Sequence, residues 1–487
     1  MMNAAHTQLK RTPRRAYPAP IALVLAAMLW GNSGLSVAQT PAAHPTAPAA
    51  ADLLQRGSYL ARAGDCVACH TAPQGQPFAG GLAINTPLGR IVSTNITPSK
   101  THGIGQYSLQ QFSDALRHGT RADGAKLYPA MPYTAYALVS DEDTAALYAY
   151  FMQSVSPVDE PNQPSSLPFP FNIRLSMAVW NALFLDSKPY VADASKSAQW
   201  NRGAYLVNGL AHCGTCHTPR NFLMAEKASQ ALAGADLGTW YAPNISPDRI
   251  SGIGEWSTVQ IAQYLKTGHV RDRAQAAGPM AEAIDNSLRH LSDSDLIAMV
   301  AYLKSVPAVR DPADIRPAHS WGAPAASAAY EALRGQSSPN TAAGLQSGPQ
   351  LYDAYCATCH QARGEGVKDQ QGHDLPALFH NTALGHRNSN NLVMAILEGV
   401  HREDETGDVL MPAFAAHLSD EQVSSLAQYL LQQFGNPQAT VTPEQVRTLR
   451  EGGQASHLLT LARGGMALVV LAALGGLIPV IKRRRAA

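Results

Sequence analysis

Cys66-Val67-Ala68-Cys69-His70, Cys213-Gly214-Thr215-Cys216-His217 and Cys356-Ala357-Thr358-Cys359-His360 use all six cysteines of this 487-residue chain. Each is a C-x-x-C-H pattern, the spacing of covalent c-type haem attachment. The chemistry explains the spacing. Two thiols must reach the two vinyl groups on one edge of a porphyrin, so they sit one turn apart. The adjacent histidine then ligates the iron from the proximal side. A zinc ribbon needs two C-x-x-C pairs close together, whereas these pairs lie far apart and each has its own histidine. A redox C-x-x-C leaves three trailing histidines unexplained. Three covalently bound haems c are therefore expected, held by Cys66, Cys69, Cys213, Cys216, Cys356 and Cys359, with His70, His217 and His360 as proximal ligands.

The sequence repeats around these motifs. Arg56-Gly57-Ser58-Tyr59-Leu60 returns as Arg202-Gly203-Ala204-Tyr205-Leu206. Asn95-Ile96-Thr97-Pro98 and Gly103-Ile104-Gly105 return as Asn244-Ile245-Ser246-Pro247 and Gly252-Ile253-Gly254. Ser140-Asp141, Ser292-Asp293 and Ser419-Asp420 supply helix N-cap chemistry ahead of apolar segments. The repeat is thus a whole small helical unit present three times.

A haem iron held by one histidine needs a sixth ligand or an open site. Gly119, Gly268 and Gly399 each follow an amphipathic segment, at 112–118, 261–267 and 392–398. A methionine stands at the same distance beyond each glycine: Met131, Met280 and Met411. Proline follows Met131 and Met411 and precedes Met280, stiffening the loop that would hold the thioether. Met280 is followed by Ala281 and so departs from the Met-Pro pattern. A lone methionine can also be a core filler, and His118, His269, His290 and His417 remain alternatives for the distal position. Methionine ligation would raise the potential. With six positions filled, such haems pass electrons and leave no room for oxygen or peroxide.

The two ends of the chain read differently. Lys10, Arg11, Arg14 and Arg15 precede an apolar run from Ile21 to Trp30 and a small-x-small site at Ser36-Val37-Ala38, the pattern of a secretory signal over residues 1–38. Export suits c-type attachment, which is made outside the cytoplasm. Residues 464–481 carry no charge and are followed by Lys482, Arg483, Arg484 and Arg485, which predicts a C-terminal membrane helix with its basic tail in the cytoplasm. A buried core helix is the alternative reading. Without those eight basic residues, 29 Lys and Arg remain against 36 Asp and Glu. Partners that dock on this part would present basic surface. The near-neutral whole chain carries no nucleic-acid footprint.

Residues 157–198 begin proline-rich and turn apolar at Phe169, Phe171, Met177, Trp180, Phe184 and Leu185. They read either as an interdomain strap or as a contact surface for a partner subunit, a membrane or a quinone. Residues 308–345 read as a second linker. No dinucleotide fingerprint, P-loop or nucleophile elbow occurs, so nothing points to a substrate-oxidising site in this chain.

With these motifs together, the chain resembles the triheme cytochrome c subunits of bacterial membrane-bound periplasmic dehydrogenases of the alcohol, gluconate, sorbitol, fructose and aldehyde type. The most telling stretches are Gly64–Ala72, Ser93–Pro98, Leu127–Tyr133 and His212–Arg220. The resemblance implies a separate large dehydrogenase subunit of flavin, pyrroloquinoline quinone or molybdenum type, with a small third subunit as a further candidate. It also implies delivery of electrons to ubiquinone in the respiratory chain, and iron ligation by His70, His217 and His360 with Met131, Met280 and Met411.

The expected fold is all-α: three tandem cytochrome c domains at 50–156, 199–307 and 346–436, plus one C-terminal transmembrane helix at 464–481. The expected place is the periplasmic face of the bacterial inner membrane. A standalone anchored carrier serving a terminal oxidase or reductase is the rival function.

Overall fold

The structure is a computed structural model that describes residues 50–86, 88–326, 344–368, 374–404, 407–454 and 457–468. One motif recurs in it: a helix runs into the C-x-x-C-H turn, and a later helix crosses back over that first helix. In the first third these are α1 (Ala50–Ala63), α2 (Cys66–Cys69), α3 (Leu109–His118), α4 (Tyr133–Tyr136) and α5 (Asp141–Gln153). A strap helix α6 (Ser176–Phe184) follows. The second third holds α7 (Ala198–Tyr205), α8 (Cys213–His217), α9 (Thr258–Thr267), α10 (Gly278–Asn286) and α11 (Asp293–Leu303). The last third holds α12 (Gly348–Tyr355), α13 (Ala357–His360), α14 (Thr382–Gly385), α15 (Asn390–Glu398), α16 (Asp420–Phe434) and α17 (Pro443–Arg450).

Glycine permits the recurring crossings. A Cβ on Gly57 would stand 2.1 Å from the Ala146 carbonyl oxygen, one on Gly203 1.9 Å from that of Ala298, and one on Gly348 2.4 Å from the Tyr429 Cβ. Only glycine lets α1 and α5, α7 and α11, and α12 and α16 approach this closely. The anticipated caps form: the Ser140, Ser292 and Ser419 side chains accept from the backbone N–H three residues on. The second third has one residue more between its crossing glycine and its first cysteine than the first third has. That residue is absorbed in a single π-helical turn at Leu206–Leu210.

The all-α expectation is corrected. Five two-stranded antiparallel sheets lie among the described residues. They include β1 (Ala83–Thr86) on β2 (Gly89–Val92), β3 (Ala235–Asp236) on β4 (Tyr241–Ala242), and β5 (His269–Val270) on β6 (Ala274–Gln275). In the last third β7 (Val367–Lys368) pairs β8 (Asp374–Leu375), and β9 (Val400–Asp404) pairs β10 (Gly407–Met411) with Met411 opposite Val400. These ribbons satisfy backbone groups in the long connections between helices, and they are too short to leave a period-2 signal in the sequence.

The expected transmembrane anchor is also corrected. Among the described residues no helix is long and apolar enough to cross a membrane. Residues 464–468 are helical in continuity with 458–463, a stretch that carries Arg463, whose Nε donates to the Phe169 carbonyl at 3.2 Å. Residues 469–481 of the anticipated span, and the signal at 1–38, lie outside the described residues. The expected membrane helix is therefore not found among the described residues.

Two cores hold the molecule. One is shared by the first two thirds and contains Leu60, Leu116, Val139 and Leu147 together with Leu206, Leu210, Ile284 and Leu296. The other is built by the last third around Leu351, Val393, Leu426 and Phe434, with Trp240 of the second third joining it. Arg402 on β9 is 2 % exposed and reaches into the second third, donating to the Gln275 side chain and the Ala276 carbonyl. The strap helix α6 is mostly apolar, with Ser176 and Asn181 as its polar residues. Its inner side packs Met177, Trp180 and Phe184 against Tyr133 and Ala225, while Leu175, Val179 and Leu183 face outward and exposed.

Candidate haem-attachment sites

Each C-x-x-C-H segment is a short helical turn on the end of a long helix. In the first two thirds the residue before the first cysteine is left-handed, Asp65 at φ 52° and His212 at φ 35°, which turns the chain sharply from one helix into the next. All six cysteines are free of disulfides. Burial raises the thiols, Cys66, Cys213 and Cys356 to about 12 and Cys69 to about 11, so they stand as neutral thiols. A neutral thiol suits a thioether link and not a metal thiolate. Among the described residues no three of His, Cys, Asp and Glu cluster as metal ligands.

The three histidines share one arrangement. His70 Nδ1 lies 2.6 Å from the Thr94 carbonyl oxygen, His217 Nδ1 2.6 Å from that of Pro243, and His360 Nδ1 3.0 Å from that of Pro376. Burial lowers the pKa of all three rings, partly offset by these hydrogen bonds, so each is a neutral imidazole. A neutral ring that donates from Nδ1 to a carbonyl presents its lone pair at Nε2. That is the tautomer an iron ligand needs, with its orientation held from behind. The donor set fits a covalent haem in every third of the chain.

The accepting carbonyls are themselves anchored, and this role was not visible in sequence. Thr94 and Pro243 immediately precede the repeated Asn95 and Asn244. Asn95 is 3 % exposed; its Nδ2 donates to the Val158 carbonyl at 2.8 Å, and its Oδ1 accepts from the Thr97 amide and hydroxyl at 2.8 and 2.7 Å. Asn244 donates to the Val309 carbonyl at 2.7 Å and accepts from the Ser246 amide at 2.8 Å. The repetition of Asn-Ile-Thr/Ser-Pro was the signal. The partner, more than sixty residues away, was not.

The three methionines are mounted differently. Met131 sits in a loop stapled by Leu127, whose amide donates to the Gly119 carbonyl at 2.8 Å, and by Tyr133, whose hydroxyl donates to Asn181 Oδ1 at 2.7 Å. Met411 ends β10, where a Cβ on Gly399 would stand 2.3 Å from the Met411 carbonyl oxygen. Met280 lies near the start of α10, behind Pro279, and not in a Met-Pro loop. Its neighbour Ala281 is a core residue, 3 % exposed, which accounts for the departure from the Met-Pro pattern. Met131 and Met280 both pack against the shared core.

The histidine alternatives have other partners. His118 Nδ1 lies 3.2 Å from Asp114 Oδ1, His290 Nε2 2.9 Å from the Asp285 carbonyl, and His269 Nδ1 contacts the Gln275 side chain. His417 is exposed. His212, which the sequence left without a role, lies against Tyr136 with ring centroids 5.5 Å apart, and the Tyr136 hydroxyl donates to the Gly64 carbonyl at 2.6 Å. One side chain therefore touches the chain just ahead of both the first and the second attachment turn. Asp65 stands at the same junction. Burial, reinforced by Glu282, pushes its pKa up to about 8.

Comparison with known proteins agrees with this chemistry. The cytochrome c family model matches residues 345–434. It does not pick out the two earlier stretches, which corrects the expectation of three tandem domains of that one family. The chain is 49 % identical to the fructose dehydrogenase cytochrome subunit of Gluconobacter japonicus, over 88 % of this chain and 90 % of that one. It is 41 % identical to the gluconate 2-dehydrogenase cytochrome c subunit of Pantoea cypripedii, over 82 % and 90 %. It is 38 % identical to the cytochrome c subunit of the quinone alcohol dehydrogenase of Gluconobacter oxydans (strain 621H), over 82 % and 83 %.

Proposed function

We propose a triheme electron relay for this chain, which belongs to the family of cytochrome c subunits of fructose, gluconate and quinone alcohol dehydrogenases. A cytochrome c domain implies covalently bound haem c. In the proposed arrangement Cys66 and Cys69, Cys213 and Cys216, and Cys356 and Cys359 each hold one haem within the regions 50–156, 199–307 and 346–436. His70, His217 and His360 are the proximal ligands, and Met131, Met280 and Met411 the distal ones. The observation that carries this reading is the threefold recurrence of a neutral histidine, fixed from Nδ1 by a backbone carbonyl, beside two uncrosslinked cysteines.

The haems supply one-electron chemistry, and the protein's own residues set its terms. The carbonyls of Thr94, Pro243 and Pro376 orient the imidazoles. The shared core backs Met131 and Met280. A separate catalytic subunit of flavin, pyrroloquinoline quinone or molybdenum type supplies electrons from an alcohol, sugar or aldehyde, and ubiquinone receives them. The names of the relatives support a dehydrogenase partner.

The test is a porphyrin count on the mature chain, by alkaline pyridine spectrum against protein mass. Three per chain are expected, and two after replacement of either cysteine pair of the first two thirds by alanine. Fewer than three in the unmodified chain overturns the reading. Copurification with a substrate-oxidising subunit, and reduction of a soluble ubiquinone analogue by that complex, test the partner and the acceptor.

A further inference from the structure

The contact between the first two thirds of the chain is reciprocal. Arg56 pairs with Asp143 inside the first third, and Arg202 with Asp295 inside the second, at 2.5 and 2.6 Å. Each of these carboxylates also takes a hydrogen bond from a tyrosine of the other third. Tyr205 donates to Asp143 Oδ2 at 2.6 Å, and Tyr59 donates to Asp295 Oδ2 at 2.6 Å. Each tyrosine oxygen in turn accepts from the backbone at the capping serine of the opposite helix: Ser140 N–H to Tyr205 at 3.3 Å, and Ser292 N–H to Tyr59 at 3.1 Å. The same four-residue set is thus exchanged in both directions across an internal two-fold. Asp143 and Asp295 are 3 % and 8 % exposed.

The last third lacks this set. Aligned on the crossing glycines, Gly57, Gly203 and Gly348, it has Ser347 where the arginines stand and Gln350 where the tyrosines stand. Aligned on the capping serines, it has Gln422 where the aspartates stand. Gln422 Nε2 donates to the Leu345 carbonyl of its own third at 2.8 Å. The larger hydrophobic core is shared by the first two thirds, while the other belongs to the last third with Trp240 of the second.

We propose that Tyr59 and Tyr205, through Asp295 and Asp143, are positioning residues that lock the first two haem-attachment segments into one rigid pair, by an exchange that the last third does not share. The proposal rests on the haem assignment above. The latch closes on α1 and α7, the helices that lead into the first two C-x-x-C-H turns, and on α5 and α11, which cross them. Tyr136 completes the pair, with its hydroxyl on Gly64 and its ring against His212. A neutral tyrosine hydroxyl shared between a carboxylate and an amide is directional, so it fixes rotation where apolar packing alone would allow sliding.

The experiment uses the full mature chain with Tyr59→Phe, Tyr205→Phe and both together, and Tyr352→Phe in the last third as control. Two readings are taken: amide exchange of the peptides that contain Ser140 and Ser292, and the dipolar distance distribution between ferric haems. Tyr59→Phe should speed exchange around Ser292 and Tyr205→Phe around Ser140, each about tenfold for the ~1.4 kcal/mol of a lost charge-assisted bond. The double variant should also broaden the shortest inter-haem distance while every porphyrin is retained. Tyr352→Phe should change neither. Unchanged exchange in the single variants, or faster exchange with an unbroadened distance, overturns the latch. Because exchange reports on the latch without any porphyrin and the pyridine count reports on the haems alone, failure of one reading is separable from failure of the other.

Discussion

Replacing Asn95 by alanine removes the device that holds the acceptor behind His70. Three short hydrogen bonds end on this buried side chain, one to the Val158 carbonyl and two from Thr97. Thr97 is 0 % exposed, so its amide finds no water in exchange. The Thr97 hydroxyl keeps the bond it accepts from the Val158 amide at 3.1 Å. Two backbone groups, the Thr97 N–H and the Val158 C=O, are left buried and unpaired at about 1–3 kcal/mol each. The total loss is about 2–6 kcal/mol. For a cooperative unit of this size that corresponds to a fall of roughly 10 °C in Tm. Asn244→Ala should cost less, about 1–3 kcal/mol, because the Val309 carbonyl keeps the bond from the Ser246 hydroxyl at 3.4 Å and only the Ser246 N–H is left unpaired. A second effect follows from position. With the Thr94 carbonyl loosened, His70 loses part of the hydrogen bond that makes it a stronger donor, so the potential of the first haem should rise. The assays are denaturant unfolding of both variants and a redox titration resolved by haem. A loss below about 1 kcal/mol for Asn95→Ala, or a larger loss for Asn244→Ala, refutes the reasoning.

Other consequences can be checked in the same preparations. Gly203→Ala places a methyl 1.9 Å from the Ala298 carbonyl oxygen and should cost more than about 3 kcal/mol by thermal unfolding, whereas Gly464→Ala, with nothing within 4 Å, should be neutral. On the proposed ligation, Met131→Ala and Met411→Ala should each open one coordination position, read as one added equivalent of carbon monoxide bound per reduced chain. His319 is 7 % exposed, and burial followed by the nearby Arg273 lowers its pKa to about 4, against the opposing pull of Glu255. Between that value and the unfolded pKa of ~6.5 the unfolded chain binds the extra proton, so stability is full above about pH 6.5 and falls towards pH 4. His319→Gln should flatten that limb of the stability curve.

The relation to cytochrome c was legible because the motif that carries it is local. Two thiols and a histidine within one turn are dictated by the dimensions of the porphyrin, and no tertiary contact alters that spacing. The caps at Ser140, Ser292 and Ser419 were legible for the same reason, since their partners stand three residues on. The short ribbons were not, because strands of two to five residues carry no periodicity above chance. Residues 464–481 misled because an uncharged stretch resembles a membrane span whatever its surroundings. The helix described there begins at 458, contains Arg463 and bonds through it to the strap.

Tertiary structure alone decided three further features. It chose the carbonyls of Thr94, Pro243 and Pro376 as the acceptors behind the histidines. It seated Met280 on a helix while Met131 took a loop and Met411 a strand end. It paired the first two thirds through Tyr59 and Tyr205 and left the last third outside that exchange. In each case the chemistry depends on groups dozens to hundreds of residues apart that meet only when the cores close. Sequence by itself determines which residues can bind a haem. Which neighbours orient those residues, and which sites form a pair, is set by packing and directional hydrogen bonds that no local pattern encodes.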